Sequence, residues 1–271
     1  MKEKLHMFDQ FNRHINYLRI SLTDRCNLRC NYCVPVEGIK LMPNDDILSC
    51  DEIIEIVKIG ASLGITKIRL TGGEPLMRED IVELVGRIKS INSIIDLSIT
   101  TNGTRLSKLA KPMKEAGLDR VNVSLDTLDT VKYKKITKGS LSDVLEGIDA
   151  AFNVGFTPVK INFVRIKGVN EEDELEVKNF CATKGLQLRF IRQMNLETGE
   201  FYPVEGGEGG ICSLCNRLRL TANGTIKPCL HSDYGFNIRE FGIEQAFLKA
   251  LNLKPKKGIG SKTHQFYNIG G

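Results

Sequence analysis

Tyr17-Leu-Arg-Ile-Ser-Leu-Thr-Asp-Arg-Cys26-Asn-Leu-Arg-Cys30-Asn-Tyr-Cys33 is the stretch from which the rest of the chain can be organised. It opens as a strand, because Leu18 and Ile20 alternate with Arg19 and Ser21 and successive side chains of a strand point to opposite faces. It then runs directly into three cysteines spaced x3 and x2. Further β-branched runs at Lys67 to Thr71, Asp96 to Thr100, Arg120 to Leu125, Val159 to Phe163 and Gln187 to Ile191 complete six predicted strands. Segments of helical spacing lie between them. The first is opened by a capping box of Ser49 and Glu52 and places Ile53, Ile56 and Val57 on one face. Strands alternating with helices define an α/β fold with a parallel sheet. Six units fall short of a closed eight-stranded barrel, so a partial (β/α)6 barrel is expected over residues 1–194.

Each strand carries a second signal. Leu18 and Ile20, Ile68 and Leu70, Leu97 and Ile99, Val121 and Val123, and Ile161 and Phe163 share the face that packs beneath helices. The other face holds Arg19 and Ser21, Lys67 and Arg69, Ser98 and Thr100, Asn122 and Ser124, and Lys160 and Asn162. Barrel interiors are ordinarily filled by branched apolar side chains, and burying this many polar groups without partners costs several kcal/mol. The interior is therefore expected to be a ligand cavity lined by anion-binding donors, with Arg forming forked contacts and Lys a point charge.

Six of the eight cysteines fall into two triads, Cys26, Cys30 and Cys33 near the start and Cys212, Cys215 and Cys229 near the end. Iron-sulfur clusters normally take four thiolates, so three leave one iron open to a small molecule. Zinc is the competing chemistry: for the first triad only Cys50 or His14 offers a fourth ligand, whereas His231 could complete a Cys3His site with the second. Cys50 and Cys181 stand alone and read as small apolar fillers. After Met194 the alternation stops, and Glu205-Gly-Gly-Glu-Gly-Gly210 reads as a flexible connection into a small C-terminal subdomain, 195–271, organised by its metal. The net charge of +5 is mild and no run of five basic residues marks a nucleic-acid arm. No apolar stretch is long enough for a membrane span and no signal peptide is evident, so a cytoplasmic location is expected, where clustered thiols bind metal more often than they form disulfides.

The triad Cys26-x3-Cys30-x2-Cys33, with Tyr32 before its last cysteine, resembles the signature of the radical S-adenosylmethionine (SAM) superfamily. That resemblance implies a 4Fe-4S cluster that chelates SAM at its open iron and cleaves it to a 5'-deoxyadenosyl radical, and a radical SAM barrel. Gly72-Gly-Glu-Pro75 is similar to the superfamily's GGEP motif, so Gly72, Gly73, Glu74, Pro75, Tyr32, Ser124 and Met194 are implied to line the SAM site. Glycine pairs most often mark tight turns; here they are expected to let backbone approach the methionyl end of SAM. Over nearly the whole length, through Lys67-Ile-Arg-Leu-Thr71, Thr100-Thr-Asn-Gly103, Cys212 to Gly224 and Gly270-Gly271, the chain is similar to the MoaA family, the GTP 3',8-cyclases of molybdenum cofactor biosynthesis. The family implies a second 4Fe-4S cluster on Cys212, Cys215 and Cys229 whose open iron meets guanine. It also implies GTP held by Arg19, Lys67, Arg69, Thr100, Lys160, Arg189, Arg217, Leu218 and Arg219, with Arg217 and Arg219 acting at the reacting base.

Abstraction of hydrogen from C3' and closure onto C8 is the implied reaction. A flavodoxin or ferredoxin donor is implied as well, and a homodimer is allowed for. Only 17 residues separate Met194 from Cys212, where the family carries a considerably longer insert, so less cover over the cavity is expected. Arg192 replaces an acidic residue and is expected to add a cation near the ligand. Arg189 and Met194, five apart, share a face only if the strand bulges or ends. Two other functions remain open at this point: a related radical SAM enzyme acting on a peptide or another nucleotide-like substrate, and a zinc-stabilised nucleic-acid-binding module.

Overall fold

The computed structural model describes residues 7–34, 38–195 and 200–258; the Gly270-Gly271 tail lies outside them. Strands and helices alternate as β1 (Tyr17–Ser21), α1 (Cys50–Ser62), β2 (Lys67–Thr71), α2 (Ile81–Lys89), β3 (Asp96–Thr101), α3 (Leu106–Glu115), β4 (Arg120–Ser124), α4 (Thr130–Thr137), α5 (Leu141–Asn153), β5 (Lys160–Arg165), α6 (Glu174–Thr183) and β6 (Gln187–Arg192). The expected capping box is present: the Ser49 side chain accepts from Glu52 N and the Glu52 carboxylate accepts from Ser49 N. Neighbouring strands β1 to β6 pair in parallel in sequence order, giving the partial barrel.

The sheet does not stop at the sixth strand. Arg217–Leu220 forms β7, which pairs in parallel with the outer side of β1. The antiparallel β8 (Thr225–Lys227) and β9 (Phe236–Asn237) follow, and the order across the sheet is β6-β5-β4-β3-β2-β1-β7-β8-β9. Helices α7 (Ile238–Phe241) and α8 (Ile243–Asn252) close the described chain. α8 docks on α1 through Phe247, which is fully buried; Gly60 makes room for it, since a Cβ there would stand 3.0 Å from the ring. The residues after 195 are thus built onto the same sheet as those before it.

Every residue assigned to the apolar strand face is buried in one continuous core that fills the space between sheet and helices. β6 ends at Arg192, so the alternation does not reach Met194 and the parity conflict disappears. Glu205 to Gly210, expected as a flexible connection, is a folded turn: Glu205 and Phe190 exchange N–H···O bonds of 3.0 and 3.1 Å, and Val204 N donates to Gly209 O at 2.8 Å. Arg192 lies on the outer side of β6, exposed, with its guanidinium 4.2 Å from the Tyr202 ring centre, rather than near the cavity. Among the described residues no helix is long and apolar enough to cross a membrane.

Removing the Phe247 ring would leave a cavity between α1 and α8. Phe247→Ala is expected to cost about 3–5 kcal/mol, read as a lowered denaturation midpoint by circular dichroism.

Candidate active site

Because β7 runs parallel to β1, the two cysteine triads fall at opposite ends of the barrel. The first triad follows the C-terminal end of β1, where α/β folds bind ligands; Cys212 and Cys215 precede the N-terminal end of β7, and Cys229 follows the antiparallel β8 at that same end. Between them the sheet spans the roughly 17 Å of a five-residue strand.

The interior face has the composition expected of it. Arg219, Arg19 and Arg69 are register partners across β7, β1 and β2, and Ser98 stands next to Arg69 on β3. Thr100, Asn122 and Lys160 form a second row across β3, β4 and β5, and Ser124, Asn162 and Arg189 a third across β4 to β6. Arg217 and Lys67 flank Tyr17 in the row below, and Arg69 and Arg217 both lie over the Tyr17 ring, at 5.6 and 5.9 Å. Arg69 Nε donates to Ser98 Oγ at 3.3 Å. Tyr17 extends the Arg19 and Ser21 alternation backwards by one step, which is how the sequence could have flagged it.

Gathering these cations is costly, and their proton affinities register the cost. Burial, with Arg219 next, pushes Arg19 well below the ordinary arginine range. Burial and Arg217 push Arg219 down to about 10. Burial, with Arg189, Arg120 and Arg69, pushes Lys160 down to about 8, and burial and Arg69 lower Arg189. Several interior atoms have no hydrogen-bond partner among the described residues: Tyr17 OH, Ser21 Oγ, Thr100 Oγ1, Asn122 Oδ1, Arg189 Nε and Arg217 Nε. Each such atom costs about 1–3 kcal/mol unless a ligand meets it. A polar, multiply anionic guest answers both deficits at once.

At the top of the barrel the first triad lies in one loop. Cys33 N donates to Cys30 O at 3.0 Å, and Asn102 Nδ2 approaches Cys26 Sγ at 3.8 Å. Three soft thiols on one turn suit an iron-sulfur cluster. The loop is zipped to the end of β2 by Gly73 N to Thr23 O and Glu74 N to Arg25 O, both 2.7 Å. The glycines answer to this packing: a Cβ on Gly72 would lie 2.5 Å from Thr23 O and one on Gly73 2.3 Å from Arg25 O, so the cysteine loop demands them. Glu74 holds the neighbouring strand end through its side chain. Its buried carboxylate accepts from Leu76 N, Thr101 Oγ1 and Asn102 N, tying β2 to β3 instead of facing the cavity, and burial pushes it up to about 7. Pro75 is buried in the turn beyond it.

Tyr32 donates to Asp126 Oδ2 at 2.6 Å, and Asp126 Oδ1 accepts from Val164 N. Asp126 continues the inner-face parity of Asn122 and Ser124 past the end of β4, a signal that was available. Ser124 and Met194 are half-buried. Leu218 is corrected: fully buried and in register with Leu18 on the apolar face, it offers substrate only main-chain atoms.

In the second triad Lys254 Nζ lies 3.4 Å from Cys215 Sγ. Burial alone would raise that thiol, but Lys254 and Arg217 outweigh it and hold Cys215 below the ordinary thiol range, an environment suited to a metal-bound thiolate. His231 packs beside an aromatic ring. Its ring stacks on Phe201 at 4.0 Å, and among the described residues no three His, Cys, Asp or Glu side chains are spaced for a single ion.

Comparison with known proteins agrees with this geometry. A model described as the radical SAM superfamily matches residues 20–181, and the chain belongs to that superfamily. Within it the chain is 43% identical to the GTP 3',8-cyclase of Thermodesulfovibrio yellowstonii over 92% of this chain and 95% of that one. It is 40% identical to that of Petrotoga mobilis over 96% and 95%; the chain is a member of the GTP 3',8-cyclase family. The first alignment runs to 306 positions although this chain has 271 residues, so the relative carries several tens of residues with no counterpart here. Among solved structures, SuiB of Streptococcus suis bound to precursor peptide SuiA is similar with a TM-score of 0.67 at 17% identity. That match covers 92% of this chain and 67% of SuiB. Methylornithine synthase PylB is similar with a TM-score of 0.54 at 22% identity, covering 67% of this chain and 54% of PylB. These likenesses carry the fold. Family membership removes the zinc-stabilised nucleic-acid module.

Gly73→Ala is expected to drive the cysteine loop off β2. Iron bound by the first triad should fall by more than half after anaerobic reconstitution, while the second triad keeps its iron.

Proposed function

We propose that the chain is a GTP 3',8-cyclase of molybdenum cofactor biosynthesis whose interior cations hold the nucleotide between two iron-sulfur sites. The observation that carries this is the in-register row Arg219, Arg19 and Arg69 set between cysteine triads at the two ends of the barrel. Cys26, Cys30 and Cys33 would hold the 4Fe-4S cluster that with SAM would supply the radical chemistry, and Cys212, Cys215 and Cys229 would hold a second cluster with a position open to the base.

What remains is placement and charge. Arg19, Lys67, Arg69 and Lys160 neutralise the triphosphate, and Arg189 extends that charge along β6. Arg217 and Arg219, leading directly out of the Cys215 turn, orient the base, so that C3' of the ribose faces the upper end of the barrel. Thr100 Oγ1 and Asn122 Oδ1 offer free hydrogen-bonding capacity to the sugar. Ser124, Met194, Tyr32 and the Gly72 to Pro75 turn form the SAM side. Fixing the two reacting carbons near each other accounts for much of the barrier reduction, and a walled cavity keeps water from the radical. The reading includes residues 195–271 as the auxiliary-cluster region, a flavodoxin or ferredoxin as electron source and a cytoplasmic location, and it allows for a homodimer.

Anaerobically reconstituted protein given SAM, dithionite and GTP is expected to yield 5'-deoxyadenosine and a 3',8-cyclised product. Cys212→Ala should abolish the cyclised product yet leave SAM cleavage; cyclisation retained in that variant would defeat the base-docking role, and turnover of an acidic peptide in place of GTP would favour the peptide alternative.

Lys160 adds a pH test. In the empty fold it loses its proton near pH 8, well below the ordinary lysine value of 10.5. Between those values the unfolded chain holds the proton and the folded chain does not, so the stability of the empty fold rises with pH there. Bound triphosphate favours the charged form, so GTP affinity is expected to fall by up to about tenfold per pH unit above 8. Calorimetry in buffers of different ionisation heat should show proton uptake on binding, absent in Lys160→Met.

A further inference from the structure

The second triad is gripped by two cations that its spacing does not reveal. Lys254, just beyond α8, is 1% exposed. Its Nζ donates to Arg217 O at 2.7 Å, to Pro228 O at 2.9 Å and to Cys215 Sγ at 3.4 Å. Arg217 lies two residues after Cys215 and Pro228 immediately precedes Cys229, so one ammonium ties together both cysteine-bearing segments. From the other side Arg13 donates to Cys212 O at 2.7 Å and to the carbonyls of Pro255 and Lys256, while Asp9 fixes its guanidinium. All three cysteine segments are thereby bound to the stretch around Lys254.

Lysine is almost never buried this deeply unless paired. Two carbonyls and one sulfur take up its three N–H donors, and the group of potentially negative charge among them is the Cys215 thiolate. Hydrogen bonds and positive charge at a ligating sulfur set the reduction potential of an iron-sulfur cluster and hold its ligands in place.

We infer that Lys254 is a positioning residue for the second cluster: its ammonium, anchored by the Arg217 and Pro228 carbonyls, hydrogen-bonds the Cys215 sulfur, raises the potential of the cluster and keeps the three thiolates gathered so that one iron stays open. This rests on the assignment of an auxiliary cluster to Cys212, Cys215 and Cys229.

The test uses the full chain carrying Cys26→Ala, Cys30→Ala and Cys33→Ala, so that iron reports the second triad alone. Iron content and the midpoint potential of the cluster, followed by electron paramagnetic resonance, are compared for that parent, for Lys254→Gln and for Lys254→Met. The parent should hold about four irons per chain. Both variants should shift the potential to more negative values, Lys254→Met the further because it also releases the two carbonyls. Iron loss by Lys254→Met with a native circular dichroism spectrum also supports the inference; if that variant does not fold, Lys254→Gln decides. A Lys254→Gln variant with full iron and an unchanged potential overturns the role of Lys254. A parent that binds no iron overturns the auxiliary-cluster assignment itself.

Discussion

Parallel pairing of β7 with β1 is the constraint on which the site depends. One residue out of register, Arg217 and Arg219 would face the helices, because such a shift moves a whole strand to the other face; paired antiparallel, β7 would carry Cys212 and Cys215 to the end of the barrel that the first triad occupies. In the observed register Leu18 meets Leu218 and Arg19 meets Arg219. One set of backbone hydrogen bonds therefore decides both that the core stays apolar and that the cavity receives two more guanidiniums. The apolar side provides the driving force: burial of Leu218 and Leu220 beside Leu18 and Ile20 contributes roughly 1.5–3 kcal/mol for each side chain, against the repulsion on the opposite face.

That repulsion explains why the interior reads as unfinished. Buried arginines and a lysine partly stripped of its proton affinity are poor contributors to stability, and hydroxyl and amide oxygens without partners among the described residues add to the deficit. A fold tolerates such a face when a guest of opposite charge completes it. The walls are rigid for a separate reason: Glu74 ties the tip of β2 to β3, Asp126 ties Tyr32 to β4 and β5, and the two glycines lay the cysteine loop flat on β2. Glu74, Tyr32 and Asp126 thus use their hydrogen bonds to hold loops, whereas Tyr17 OH, Thr100 Oγ1 and Asn122 Oδ1 on the interior face have no partner among the described residues.

Much of this was legible before any coordinates. The alternation along each strand separated core from cavity residue by residue, because strand geometry allows only two faces, and the Ser49–Glu52 box announced α1 through purely local bonding. What escaped notice depends on long-range pairing. Nothing in Arg217-Leu-Arg-Leu220 states that it will join β1, so Leu218 could not be told from its arginine neighbours. Glu74 sits in a motif that suggests ligand contact, yet its partners Thr101 and Asn102 come from another strand end. Lys254 lies in Leu253-Lys-Pro-Lys-Lys257, a stretch that looks solvated, and only the convergence of the chain ends around Cys215 buries it. In the glycine-rich turn composition reports freedom, whereas Glu205 finds a backbone partner in Phe190.

That same turn has a further consequence. A barrel left open has a free margin at β6, and unpaired margins invite neighbouring molecules to add strands and aggregate. The Glu205–Phe190 bridge occupies part of that margin from within the chain. The connection thus serves as a hem: it limits the purchase available to a stray strand at the place where the barrel would otherwise fray.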